Sequence, residues 1–244
     1  MITTLRLERE ITDSRTWLKA QGLDVTDPDR LRVWRLLYSL RFLTRAPKID
    51  LIKSWDVAHV LDLIGRHCPD RRSAILDMGC FNSEILCALY RAGYTSLRGC
   101  DLDPRCRWMP YWHRIQYREA DLTRTLFPDA SFSAITCISV IELGVPVPRF
   151  VEEVHRLLKI GGIVIVTTDF DGTGEPHAIP EHARVCGHPW TIMDRPGLES
   201  LVDRFLRAGF SPLDSAQHEI HADRPIHWNG HTYTFALVAM KKTG

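Results

Sequence analysis

Residues 75–83 read Ile75-Leu76-Asp77-Met78-Gly79-Cys80-Phe81-Asn82-Ser83. An apolar run closes on an acid and then on a glycine, and Glu84 opens a helical pattern behind it. That is the signature of a buried strand, a tight turn and a helix. In doubly wound sheets ligands bind outside the carboxyl ends of the strands, where such a turn lets backbone approach them. Gly79 supplies the turn because it has no Cβ to obstruct it.

Working outward, the same alternation recurs. Strands are expected over 74–78, 96–100, 132–140 and 163–168, and helices over 54–67, 84–92 and 149–158. Gly161-Gly162 separates the last helix from the strand after it. Strands alternating with helices imply βαβ units and a mainly parallel sheet. A helix over 198–208 is closed by Gly209, a C-cap residue. The β-rich stretches 210–216 and 232–240 then follow with no helix between them, which makes an antiparallel pair. Upstream, helices are expected over 5–20 and 31–43, with Pro28 near the start of the second and Pro47 beyond its end. Arg30, Arg32, Arg35, Arg41 and Arg45 give that second helix a basic face, read as solvated.

Ser96-Leu-Arg-Gly-Cys-Asp101 is a second strand ending in an acid, and an acid there can accept hydrogen bonds from both hydroxyls of a ribose. Asp103-Pro104 follows, then Asp121-Leu122, Ile135 to Glu142, and Phe150-Val-Glu-Glu-Val-His-Arg-Leu-Leu-Lys-Ile-Gly-Gly162. In order and spacing these segments resemble the class I S-adenosylmethionine-dependent methyltransferases. The match is good over about 54–162 and looser over the C-terminal strands. Asp77 and Gly79 fit that family's first motif, while Phe81 and Ser83 stand where it has further glycines. The resemblance implies S-adenosylmethionine as cofactor, with Asp101 on the ribose and Asp121 on the adenine amino group. It also places Asp77, Gly79, Cys80, Phe81, Leu102, Leu122, Ser139 and Glu142 around it. Several of these carry a second reading from the residues alone. Asp77 can cap the turn, Asp101 can be a loop acid, and Glu142 can pair with Arg149. Phe81 and Trp55 divide between the site and the core.

A nicotinamide-dependent dehydrogenase is the rival on a similar fold. It needs three spaced glycines to admit a pyrophosphate onto the helix N-terminus, and only Gly79 is present. A non-catalytic module that binds S-adenosylmethionine is a further alternative.

The stretch from Asp169 to Pro196 lacks periodicity, and a loop of that length in a compact domain usually carries function. Its aromatic and polar residues suit a pocket for a polar organic molecule. Pro189-Trp190-Thr191 and Pro225-Ile-His-Trp228 resemble enzymes that methylate sugars in bacterial surface glycans. Histidine titrates near neutrality, so His177 and His188 are the candidate catalytic bases, on position. His218, His221, His227 and His231 are assigned to the final hairpin and its loop. Two metal readings were weighed against no metal. His177, His182, Cys186 and His188 match no standard zinc spacing, and Asp169 with Asp171 occupy positions where some sugar O-methyltransferases hold magnesium. The site is read as metal-free.

The chain has 244 residues, 45% hydrophobic and 25% charged, with a formal net charge of +1. It is long enough to bury a full core, and the balanced charge gives no global case for nucleic acid or an anionic membrane. The seven cysteines are irregularly spaced and fall in apolar stretches, which suits a reducing compartment. No signal-peptide core and no membrane-length apolar run is present, so the cytoplasm is expected. The expectation is an α/β fold: a doubly wound seven-stranded sheet, mostly parallel with one antiparallel C-terminal strand, and helices on both faces. Residues 1–53 form an N-terminal helical cap over a methyltransferase domain at 54–244, with 170–196 as an acceptor-side insert. The expected reaction is O-methylation of a small polar or sugar-like acceptor, and a homodimer is left open.

Overall fold

The structure, a computed structural model, describes residues 1–25, 36, 39–40, 50–174, 184–185, 187–214 and 218–244. In chain order the elements are β1 (Ile2–Thr4), α1 (Glu8–Ala20), a 3-10 turn (Leu51–Lys53), α2 (Ser54–His67), β2 (Ala74–Met78), α3 (Ile85–Arg91), β3 (Ser96–Asp101) and β4 (Gln116–Glu119). Next come β5 (Phe132–Ile138), α4 (Val147–Leu157), β6 (Leu158–Asp171), β7 (Arg184–Val185), β8 (His188–Pro189), β9 (Met193–Asp194) and α5 (Arg195–Arg207). The chain finishes with β10 (Phe210–Pro212), β11 (His218–Glu219), β12 (Ile226–Trp228) and β13 (His231–Lys242).

The principal sheet runs β4-β3-β2-β5-β6-β13-β10. The first five strands are parallel, β13 is antiparallel to β6, and β10 is antiparallel to β13. This is the expected seven-stranded sheet with one reversed strand. Helices α1, α2 and α3 pack on one face, and α4 and α5 on the other. Covered on both sides, the central strands bury nearly every residue, which is why they read as continuous apolar runs rather than alternating ones.

Three elements depart from the sequence expectation, each for a local reason. Helix α1 starts at Glu8, because the β-branched Ile2, Thr3 and Thr4 pair with β13 instead. The first residues of the expected helical cap thus belong to the sheet, and the Glu10 carboxylate accepts from the Leu7 N–H at 2.9 Å to begin the helix. Gly161-Gly162 lies inside β6, where the register against β5 shifts; Gly161 takes φ +79°. The glycine pair is therefore a bulge within one long strand, not a gap before it. Strand β5 ends at Ile138, because Ser139 turns to φ +52°. The expected helix over 31–43 falls largely outside the described residues.

The turn after β2 is fixed by contact. Gly79 has φ +81°, its N–H donates to the Cys100 carbonyl at 2.8 Å, and a Cβ there would meet Val140 Cγ2 at 2.3 Å. Gly79→Ala is therefore expected to cost about 1–3 kcal/mol from overpacking and the left-handed backbone. For a chain this size that lowers the melting temperature by roughly 3–10 °C in a thermal melt. An unchanged melt would show that the turn yields freely.

Candidate active site

A cavity of about 360 Å³ opens at the carboxyl ends of β2, β3 and β5. One wall carries Gly79, Phe81, Asp101, Leu102 and Leu122. The lining also includes Lys53, Ser139, Val185, His188 and Trp228.

Asp101 closes β3, and both its oxygens are already engaged by backbone. The Phe81 N–H donates to Oδ2 at 2.9 Å, and the Asp103 N–H donates to Oδ1 at 2.8 Å. Burial raises its proton affinity above the ordinary carboxylate range, while these two N–H groups act to hold it down. Each carboxylate oxygen has a second acceptor site, so the group can still take two hydroxyl donors from the cavity.

Helix α1 reaches the site through Arg15. Its guanidinium is 8% exposed and donates to Glu84 Oε1 at 2.7 Å, Glu84 Oε2 at 3.1 Å, Asp24 Oδ1 at 3.1 Å and Ser54 Oγ at 3.0 Å. Glu84 follows the β2 turn and lines the cavity. One arginine thus ties together α1, the start of α2 and the turn.

Lys53 ends the 3-10 turn and forms a second, partly buried ionic joint. Its Nζ donates to Ser139 Oγ at 2.6 Å and to Asp169 Oδ1 at 3.2 Å, lies 3.7 Å from Asp56 Oδ2, and sits 3.6 Å above the Phe235 ring. The indole N–H of Trp190 donates to the other Asp169 oxygen at 2.9 Å. Glu142 is buried in the same group, and its Oε2 has no hydrogen-bond partner. Burial, with repulsion from Asp169, pushes Glu142 up to about 8; burial pushes Asp56 up to about 7.

The expected cofactor residues separate by position. Gly79, Phe81, Asp101, Leu102, Leu122 and Ser139 lie on the cavity wall. Asp77 lies behind it, buried, accepting from Thr136 Oγ at 2.6 Å and raised to about 6 by desolvation; it braces β2 against β5. Cys80 and Glu142 are also behind the wall. Asp121 is exposed, and its Oδ1 accepts from the Thr123 N–H at 2.8 Å. Trp55 is a core residue, 1% exposed. Of the two candidate bases, His188 is exposed on β8 and lines the cavity, whereas His177 lies outside the described residues, as do His182 and Cys186. Asp171 is paired with Arg224 at 2.6 Å and Asp169 with Lys53 at 3.2 Å, so a side-chain cation meets each carboxylate. Sequence reasoning missed Arg15 and Lys53. The available signal was an acid, Asp56, inside the apolar run of α2, which demands a buried cation nearby.

The donor set fits the sulfonium nucleoside that the sequence motifs imply. Asp101 offers acceptor sites for a vicinal diol, Phe81, Leu122 and Val140 offer an apolar bed for a flat base, and acidic groups predominate over cationic ones on the lining. Residues 76–166 match the family model described as a methyltransferase domain. A search of curated proteins finds no match. Among solved structures, the chain is similar to the [4+2]-cyclase SpnF, with TM-score 0.58, 18% identity and 82% of this chain and 85% of that one covered. It is also similar to geranyl diphosphate C-methyltransferase from Streptomyces coelicolor A3(2), with TM-score 0.57, 15% identity and coverage of 79% and 80%. A third is 1,6-didemethyltoxoflavin-N1-methyltransferase from Burkholderia thailandensis, with TM-score 0.56, 17% identity and coverage of 77% and 78%.

Residues 76–166 thus carry a methyltransferase domain, set on a class I methyltransferase fold. The match supports S-adenosylmethionine-dependent methyl transfer over the dehydrogenase alternative.

Two stability measurements follow from the buried charges. Arg15→Ala strands Glu84 and Asp24 in the interior and is expected to cost about 3–5 kcal/mol in urea unfolding, with the Arg15→Leu/Glu84→Leu double variant recovering part of it. A loss below about 1 kcal/mol would mean the joint is solvated. Folded Glu142 keeps its proton to about 8, against an ordinary value of 4.5. The native state therefore binds more protons between those values, and stability falls as pH rises through that window. Glu142→Gln should flatten the decline in melting temperature between about pH 6 and 8; an equally steep variant would place the titrating group elsewhere.

Proposed function

We propose that this chain transfers the methyl group of S-adenosylmethionine to an oxygen of a small polar or sugar-like acceptor. The observation that carries this reading is that one cavity is lined both by Asp101 and by Lys53, His188 and Trp228. Asp101 binds the ribose hydroxyls, Phe81 and Leu122 flank the base, and Gly79 lets the turn approach the ligand. Asp77 and Cys80 support that turn from behind, Leu102 covers it from solvent, and Asp121 takes the adenine amino group.

The bound cofactor supplies an electrophilic methyl group on a positively charged sulfur. What the protein adds is alignment of an acceptor with it, which is catalysis by proximity and orientation. Trp228, 40% exposed and packed edge-on against the buried Trp190 at 5.0 Å, offers a ring face of the kind that stacks on planar or sugar rings. His188 on the same lining is placed to accept a hydroxyl proton. Glu142 and Ser139 shape the end of β5. His177 keeps the same proposed role as an alternative base.

Among the described residues no helix is long and apolar enough to cross a membrane. The six described cysteines are free and buried, which supports the cytoplasm as the compartment.

Asp101→Asn removes the charge from two hydroxyl hydrogen bonds, each contributing about 1.5–3 kcal/mol when charged. Calorimetry should show S-adenosylhomocysteine binding weakened by roughly 10- to 100-fold. Affinity within twofold of the parent would remove Asp101 from the ribose. Radiolabelled methyl transfer to a panel of phenols, sugars and amines reads out the acceptor class. Transfer to amines alone would exclude O-methylation, and His188→Gln should lower kcat by about 10²-fold or more if His188 is the base.

A further inference from the structure

Beside the cavity, the Lys53 ammonium meets the carboxyl groups of Asp56 and Asp169, and Glu142 is buried near enough to feel both Lys53 and Asp169. Asp56 is 0% exposed and Glu142 3% exposed. Neither Asp56 oxygen has a hydrogen-bond partner, and neither has Glu142 Oε2. With all three acids ionised, the interior would hold two uncompensated negative charges, and burying even one is costly. Burial accordingly pushes Asp56 up to about 7 and Glu142 up to about 8. Asp50 from the 3-10 turn, Tyr233 from β13 and Cys137 from β5 also face the group, and each adds repulsion or none rather than a second cation. His188 is the other basic side chain on the cavity wall.

The cluster is joined to the cavity. Lys53 and Ser139 belong to both, through the 2.6 Å hydrogen bond between them. A cation entering the cavity therefore shares low-dielectric surroundings with the carboxyl groups and favours their ionised forms.

We propose that Lys53, Asp56, Glu142 and Asp169 form the proton sink of the methyl-transfer site, giving up a proton when a sulfonium enters the cavity and taking one up when that charge is spent. The idea rests on the methyl-transfer reading above. As the acceptor oxygen bonds to carbon, the carbon–sulfur bond breaks and leaves its electron pair on sulfur. The acceptor's O–H pair stays on oxygen; its proton is taken first by His188 and ends on the cluster once transfer is complete. The proton enters by Ser139 Oγ, 2.6 Å from Lys53 Nζ, and comes to rest on the buried Asp56 and Glu142, while Lys53 stays an ammonium beside Asp169. One positive charge leaves the cavity and one arrives behind it, so the local charge is conserved.

The test needs no acceptor. Calorimetry of the full chain near neutral to mildly alkaline pH, in two buffers of different ionisation enthalpy, counts the protons exchanged when S-adenosylmethionine or the uncharged-sulfur S-adenosylhomocysteine binds. The sulfonium compound should release roughly half a proton more than the thioether. That excess should vanish in Glu142→Gln and in Asp56→Asn. Difference infrared spectra of the parent protein serve if both variants misfold: the carboxylic-acid C=O band should be depleted by the sulfonium compound and not by the thioether. Equal proton counts for the two ligands, with an unchanged C=O band, would overturn the sink and leave the cofactor site standing. An excess that survives in both variants would overturn it as well. Binding of neither ligand would overturn the methyl-transfer reading and the sink together.

Discussion

A guanidinium or an ammonium is buried only with partners in hydrogen-bond contact, and two such cations hold this active site together. Arg15 carries α1 onto the turn after β2, and Lys53 carries the 3-10 turn onto the ends of β5 and β6. Removing either partner of such a pair leaves the other charge in the interior, which costs far more than an exposed pair contributes. The carboxyl edge of a parallel sheet is otherwise open, since the sheet supplies only the ends of its strands. These joints roof part of that edge with residues from the N-terminal segment. The N-terminal strand β1 reinforces this by pairing with β13 and fixing where α1 begins.

The same edge concentrates backbone strain. Ser139 and Asn82 are non-glycine residues at φ +52° and +64°, and both line the cavity. Conformations of this kind cost on the order of 1 kcal/mol or more and persist where surrounding contacts over-determine them. For Ser139 two contacts do this: its N–H donates to the Thr167 carbonyl at 3.0 Å and its hydroxyl accepts from Lys53. The turn of the chain points this hydroxyl at Lys53 instead of continuing β5. A straight strand would direct side chains alternately to the two faces of the sheet and none along its end.

Sequence patterning reached the sheet because both faces of its central strands are buried, so composition and turn residues mark them plainly. The place of Asp101 on the cavity is legible for a related reason: an acid closing an apolar strand of a parallel sheet sits at the carboxyl edge. Long-range ionic contacts were not legible. Arg15 and Glu84 are far apart in the chain, and nothing local to either distinguishes it from a solvated helix charge. Trp55 could not be placed because an apolar helix start faces core and cavity equally well. Gly161-Gly162 read as a boundary, since a glycine pair marks a break and a bulge with the same letters. Asp77 and Glu142 were read as cavity groups because their chain positions place them at strand ends, yet side chains there point either forward to ligand or back between strands.

Phe81 and Ser83, the residues that weakened the motif match, agree with the chemistry of the ligand. A pyrophosphate needs glycine-rich backbone wrapped closely around its oxygens. A sulfonium nucleoside has no phosphate, so the turn need only leave room for a sugar and a thioether chain. Phe81 lines the cavity while its own N–H is spent on Asp101, and Arg105 lies 4.8 Å from its ring centre. The side chain that would obstruct a dinucleotide thus serves as a wall and, through its backbone, helps set the acid. The fold alone does not fix the reaction, as similarity to both a [4+2]-cyclase and two methyltransferases illustrates. The local feature that bears on the reaction is a group of three acids and one lysine, with Lys53 and Ser139 on the cavity wall. A reaction that consumes a positive charge on sulfur and liberates a proton from its acceptor is one for which such a group has a use. A cycloaddition, which moves no net charge, would gain nothing from it.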